Sequence, residues 1–388
     1  DLPVRPTTMT AIAAAGLAIM LIGLFDDLRV MPAAVKLLCN IAVALWLLSF
    51  GIGDRIIEVA THFFVAPAGR LDRGVELLYS VPIAVFVIVG ACNATNLIDG
   101  LDGLCAGVLG IISLGFFILA VNLREAPDVA GLIANERVVL ALAMLGAAAG
   151  FLPFNRNPAK IFLGDAGSML LGLNAAILIL LFAETYLVRW MIGSLMVFGL
   201  PLADMCLTLA RRWRNGRPLM EGDRSHFYDQ LRDRGFSVRQ VVAISYVLTL
   251  VFVLTGVSVL FLRTRYAILV YTLVVAAVVA AVWKFNMVSI DARAGDGVAA
   301  GAGGDARGPA ADRFDRAGGR VVAGLRVDAV VVDPGGRRPG GHRGAGDIRV
   351  IAGEAVAPGR DGVFAVVGGG GGVGAVACGG GPADAGCG

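Results

Sequence analysis

Apolar runs long enough to cross a bilayer recur along most of this chain. They fall near 9–25, 33–52, 80–95, 104–122, 137–153, 166–183, 189–210, 240–262 and 266–285. A helix needs about 20 apolar residues, with a range of about 17–25, to span the hydrocarbon core. No water is available there to satisfy a bare backbone, so the runs must be helices rather than isolated strands. The sequence therefore predicts an all-α, polytopic transmembrane helix bundle with about nine spans. With 57% hydrophobic and 16% charged residues the chain is far from an ordinary soluble enzyme, for which about 45–50% apolar and about 25% charged is usual.

Nine crossings put successive loops on alternate faces. One face receives 26–32, 96–103, 154–165 and 211–239; the other receives the start of the chain, 53–79, 123–136, 184–188 and 263–265. The loop 211–239 alone carries eight arginines, and counting charges at the helix ends, such as Lys36 and Lys284 on the first face, Lys+Arg total 13 on the first face against 9 on the second. The positive-inside tendency makes the first face cytoplasmic in the cell (inner) membrane. The formal net charge of +3 gives no reason to expect a nucleic acid partner.

Residues 291–388 have a different composition and are read as a separate segment from 1–290. They hold 29 of the 53 glycines, and 74 of their 98 residues are Gly, Ala, Val, Asp or Glu. All five have codons that begin with G, which reads as a GC-rich gene out of frame. The alternative is a disordered low-complexity tail that cannot bury a core. Cys39, Cys92, Cys105 and Cys206 lie in or beside apolar runs without metal-ligand spacing and read as small buried hydrophobes.

With three histidines and three lysines in the chain, chemistry must rest on carboxylates and arginines. Four clusters share the first face: Asp26-Asp27, Asn96 with Asp99 and Asp102, Asp165, and Asp223-Arg224-Ser225-His226. An Asp at a helix end is ordinarily a cap, and that bland alternative suits an isolated Asp-Asp. The spacing of three aligns Asn96, Asp99 and Asp102 on one face of a helical turn, although Gly100 and Gly103 interrupt it. Acidic residues and glycine-rich backbone at membrane depth are costly and usually functional. Oxygen donors of this kind suit a hard cation such as Mg2+, which takes one or two carboxylates plus substrate phosphates. The pattern describes phosphoryl transfer; a cation-coupled transporter or flippase is the alternative from the residues alone.

The ordered motifs Gly23…Asp26-Asp27, Asn93-Ala-Thr-Asn96-Leu-Ile-Asp99-Gly-Leu-Asp102-Gly-Leu104 and Asn155-Arg-Asn-Pro158-Ala-Lys-Ile-Phe162-Leu-Gly164-Asp165-Ala-Gly167-Ser168 resemble the polyprenyl-phosphate N-acetylhexosamine-1-phosphate transferases of glycosyltransferase family 4. Pro201-Leu-Ala-Asp204, Arg211-Arg212 and Asp223-Arg224-Ser225-His226 continue the resemblance, which covers about residues 9–285. It implies transfer of a sugar 1-phosphate from a UDP-N-acetylhexosamine to undecaprenyl phosphate, releasing UMP, as a first membrane step of cell-surface glycan assembly. It implies Mg2+, or Mn2+ in its place, and admits a homodimer. By resemblance Asp165 and Asp27 are metal ligands, and Asp26, Asp27, Asp99 and Asp102 are catalytic. Asn96, Asn155, Arg224 and His226 bind substrate.

Two departures stand out. Many members carry His-x-His-His where this chain has His226-Phe227-Tyr228-Asp229, so the first histidine alone is retained. The triple-histidine pattern of the muramoyl-pentapeptide branch is absent, which favours the simpler UDP-N-acetylhexosamine branch. The family also begins with about two further spans, so 1–290 is expected to be an N-terminally truncated transferase domain, and an inactive truncated product is a further alternative.

Overall fold

The computed structural model describes residues 6–59, 72–124, 133–185, 188–216, 226–285 and 287, and five short strands between 321 and 375. The membrane part is helical. Its helices are α1 (Pro6–Leu28), α2 (Ala33–Ser49), α3 (Arg73–Ile98), α4 (Leu104–Arg124), α5 (Ile133–Asn155), α6 (Gly164–Ala183), α7 (Val188–Val197), α8 (Gly199–Arg214), α9 (Phe227–Asp233), α10 (Val238–Val257) and α11 (Thr264–Lys284). Seven of them are long and apolar enough to cross a membrane, and the bent pair α7–α8 makes an eighth. The remaining expected span is α2, an apolar helix of 17 residues, at the short end of spanning length.

Two differences from the sequence reading have local causes. Helix α3 starts at Arg73 rather than near 80. Asp72 accepts the Gly74 N–H at 3.0 Å as its cap, and Arg73 pairs with Glu76 at 3.1 Å, so a polar first turn extends the apolar run. The expected span 189–210 is bent by 74° between α7 and α8. Pro201 lies three residues past the break; it has no N–H for the carbonyl of residue 197, and its ring crowds that carbonyl.

The core centres on α6, whose residues from Ala175 to Ala183 are all buried. Small residues let its neighbours approach closely. A Cβ on Gly23 of α1 would lie 2.6 Å from the backbone of Asp165 and Ala166, and one on Gly172 of α6 would lie 2.7 Å from the Ala91 carbonyl of α3. Backbone contact therefore fixes α1 and α3 against the start and middle of α6. Cys92 and Cys105 are buried as expected, whereas Cys39 is half-buried and Cys206 is exposed.

Residues 307–388 form a second compact unit. Within it Val321–Val322 (β1) pairs antiparallel with Leu325–Arg326 (β2). A three-stranded antiparallel sheet has the order Val330–Val332 (β3), Val363–Val367 (β4), Val373–Ala375 (β5). Valine dominates these strands, as its branched side chain favours the pleated conformation.

Candidate active site

The acidic residues gather where α1 ends and α6 begins. Asp26 Oδ1 accepts the Met31 N–H at 2.7 Å, which holds the chain as it leaves α1. Its other oxygen, Oδ2, meets Lys36 Nζ at 2.8 Å, and the same ammonium bonds Asp165 Oδ2. Asn96, in the last turn of α3, donates to Asp165 Oδ1 at 2.7 Å and to Ser168 Oγ at 3.1 Å. Asp27 accepts the Asp165 N–H at 3.0 Å and the Ala166 N–H at 3.3 Å. It thereby satisfies free donors at the start of α6, where the helix dipole favours negative charge.

The second acidic motif is a turn rather than a continued helix. Helix α3 ends at Ile98 with Asp99 as its C-cap, and α4 starts at Leu104. Gly103 between them has φ +79°, a left-handed conformation that glycine adopts without a steric cost. Asp99 and Asp102 therefore do not share a helical face with Asn96. Asp102 Oδ2 accepts from Asn157 Nδ2 at 2.9 Å and from the Ala159 N–H at 3.1 Å. Asn155 accepts the Gly103 N–H at 3.0 Å and donates to the Ile161 carbonyl at 2.9 Å. These bonds join the 96–103 and 154–165 loops into one surface. Burial pushes the Asp99 carboxyl up to about 8, and the nearby charges of Asp165, Asp27 and Asp102 push in the same direction.

His226 is buried one step further round. Its Nδ1 lies 3.1 Å from Asp204 Oδ2 and 3.2 Å from Thr208 Oγ1. Asp204 also accepts the Phe227 N–H at 2.9 Å, and so fixes the start of α9. Tyr228 stacks on the His226 ring, with centroids 5.4 Å apart, and donates to the Leu97 carbonyl at 3.0 Å. Tyr246 of α10 donates to the Gly103 carbonyl at 2.6 Å. Arg224 lies outside the described residues.

Asp26, Asp27, Asn96 and Asp165 thus meet in one hydrogen-bonded group around Lys36. Asp102 and Asn155 hold the adjoining loops, and His226 is linked to the same end through Tyr228. Lys36, Asp204, Tyr228 and Tyr246 were absent from the expected site. Lys36 carried a usable signal, since it is a lone charge within an apolar run. The tyrosines carried none, because their partners are backbone carbonyls far away in sequence.

Among the described residues no group of three His, Cys, Asp or Glu side chains is arranged to hold a metal. Asp26 and Asp165 nevertheless converge on one cationic atom, with the Asn96 amide beside them. Two carboxylates fit a Mg2+ site of the kind that substrate phosphates complete.

A helical bundle of spanning length with carboxylates assembled at one end defines a multi-pass integral membrane protein built for charged chemistry at a membrane surface. The chain belongs to glycosyl transferase family 4, whose profile matches residues 9–183. That match runs from α1 to α6 and contains Asp26, Asp27, Asn96, Asp99, Asp102, Asn155 and Asp165.

The chain is 34% identical over 253 residues to a Bacillus subtilis protein named "Probable undecaprenyl-phosphate N-acetylglucosaminyl 1-phosphate transferase", covering 65% of this chain and 66% of that protein. It is 32% identical over 292 residues to the decaprenyl-phosphate N-acetylglucosaminephosphotransferase of Mycobacterium tuberculosis, with 71% and 70% covered. It is 29% identical over 265 residues to the phospho-N-acetylmuramoyl-pentapeptide-transferase of Orientia tsutsugamushi, with 63% and 71% covered. The chain spans about two thirds of the length of these relatives.

Proposed function

We propose that the protein transfers N-acetylhexosamine 1-phosphate from a UDP-sugar to undecaprenyl, or another polyprenyl, phosphate and releases UMP. The anhydride bond of the UDP moiety breaks, and a new one forms to the lipid phosphate. The observation that carries this reading is the convergence of Asp26 and Asp165 on one cation, with Asn96 bonded to Asp165, at one end of the bundle. A water-soluble nucleotide and a lipid phosphate can meet at such a membrane surface. The names of the relatives support the same two substrates.

Both substrates are anionic, so bringing them together requires charge neutralisation. Asp165 and Asp26 are the residues that would hold Mg2+, which would neutralise phosphate charge when bound, and Asp27 steadies Asp165 by accepting its backbone N–H. Lys36 adds a positive charge beside the same atoms. A phosphate monoester has a second pKa of about 6 and is largely dianionic near neutrality, so the lipid phosphate needs orientation more than deprotonation. Asp26 suits that orienting role. Asn155 and Asp102 shape the floor by holding the two loops together. His226, oriented by Asp204, stands beside the nucleotide, with Arg224 contributing charge. The eight arginines of 211–239 support a cytoplasmic position for this face.

The test uses membranes carrying the full-length protein, a panel of UDP-N-acetylhexosamines and undecaprenyl phosphate. Lipid-linked sugar and UMP should form together and depend on Mg2+, and Asp165→Asn should abolish both. Normal turnover by Asp165→Asn overturns its role as ligand. Substrate movement across proteoliposomes without UMP release overturns the transferase reading.

A further inference from the structure

We infer that Lys36 is a placeholder cation. Its ammonium fills the gap between Asp26 and Asp165 when no divalent ion is there, and a divalent ion entering that gap displaces it toward the phosphate oxygens of the substrates. The identity of the arriving ion rests on the transferase reading above.

Three observations carry the inference. Lys36 Nζ touches one oxygen of each carboxylate, so it occupies the point on which both converge. Each carboxylate is held from its other oxygen: Met31 N–H fixes Asp26, and Asn96 Nδ2 fixes Asp165. The Lys36 side chain is only 16% exposed, so little solvent shares in neutralising the pair. Two fixed and partly buried carboxylates repel strongly in a low-dielectric setting, and a cation between them relieves that repulsion.

The carboxylates have ties outside the gap, whereas the Lys36 ammonium is held by these two carboxylates. Its four-carbon stem carries a compact charge that can swing. An ammonium and a divalent ion cannot occupy one gap, so they compete for it. The doubly charged ion gains more from two carboxylates, and gains further when phosphates complete its shell. The released ammonium then sits beside the same phosphates, where it forms charge-assisted hydrogen bonds. In this arrangement the acidic pair is neutralised at every stage, first by the lysine and then by the metal. Substrate phosphates and metal thereby favour each other's binding.

The experiment uses the full chain in detergent and Mn2+ as a paramagnetic probe, with no substrate present. Binding is read from loss of the free Mn2+ spin-resonance signal. Lys36→Met should bind Mn2+ at least about tenfold more tightly than the wild type, because the competing charge is gone. In the wild-type protein, acylation of the Lys36 amine by acetic anhydride, quantified by mass spectrometry, should speed up when Mn2+ is added. This second measurement needs no variant to fold. Equal or weaker Mn2+ binding by folded Lys36→Met, or Lys36 labelling that Mn2+ leaves unchanged or slows, overturns the placeholder role and leaves the transferase reading standing. If both binding results hold while the wild type transfers no sugar phosphate, the transferase reading falls and the exchange of cations stands.

Discussion

Asp27, at the end of one helix, caps the helix that carries Asp165: its two carboxylate oxygens accept the Asp165 and Ala166 N–H groups at 3.0 and 3.3 Å. The acidic pair is therefore split in task, with Asp26 turned to Lys36 and Asp27 turned to the backbone of α6. Asp27→Ala should cost about 1 kcal/mol of stability, a typical value for a lost cap. Asp27→Asn keeps an acceptor and should lose less. Thermal unfolding in detergent compares the two, and equal midpoints for wild type and Asp27→Ala would remove the capping role.

Gly23→Ala should be harmful out of proportion to one methyl group. The added Cβ would stand 2.6 Å from Ala166 Cα and N, so α1 must shift away from α6. Overpacking of this kind costs about 1–3 kcal/mol, and here the shift also moves Asp26 away from Asp165. Gly146→Ala serves as the control, because nothing lies within 4 Å of its added Cβ and alanine favours a helix. Parallel melts and transfer assays on the two variants check the contrast.

Removing the Tyr228 hydroxyl should loosen the acidic turn without emptying the space above Gly100, where the tyrosine ring packs. Tyr228→Phe loses the bond to the Leu97 carbonyl, and Tyr246→Phe loses the bond to the Gly103 carbonyl. Each costs about 1 kcal/mol. Hydrogen exchange across 97–103 should quicken in both variants, and transfer should slow. Unchanged exchange in the double variant would show that the tyrosines do not hold the turn.

Asp99 sets a pH dependence with a definite sign. Burial, with the neighbouring carboxylates, pushes its carboxyl up to about 8 from an ordinary 3.8. Folding thus raises its proton affinity, so stability falls as pH rises from the lower value towards the upper one, and the penalty is complete above it. Asp99→Asn should flatten that slope and raise the unfolding midpoint at about pH 9 more than at about pH 5. An unchanged slope would mean that Asp99 is ionised freely in the native state.

Much of this architecture was legible in apolar run length, and the residues that the structure gathers into the candidate site were legible as Asp26-Asp27, the Asn96–Asp102 motif and Asp165. Arrangement within the site was less so. A spacing of three suggested a shared helical face for Asn96, Asp99 and Asp102, but α3 ends at Ile98 and Asp99 already leaves the helix as its C-cap. Asn155 looked like a substrate contact on motif grounds, while its amide bonds Gly103 and Ile161 across the loop. Lys36 stands out in the sequence only as a charge near a helix end, since pairing across 129 positions with Asp165 leaves no periodic trace. The bend before α8 was marked by Pro201, yet a hydropathy window averages across a break of one residue.

The close approach of Gly23 to the start of α6 has a consequence for how the protein tolerates its surroundings. Bilayers differ in thickness, and spanning helices answer by tilting. Since α1 and α6 meet backbone to backbone, neither can lean without carrying the other. The gap between Asp26 and Asp165 then travels as a rigid piece, and its width becomes insensitive to the lipid in which the enzyme happens to sit.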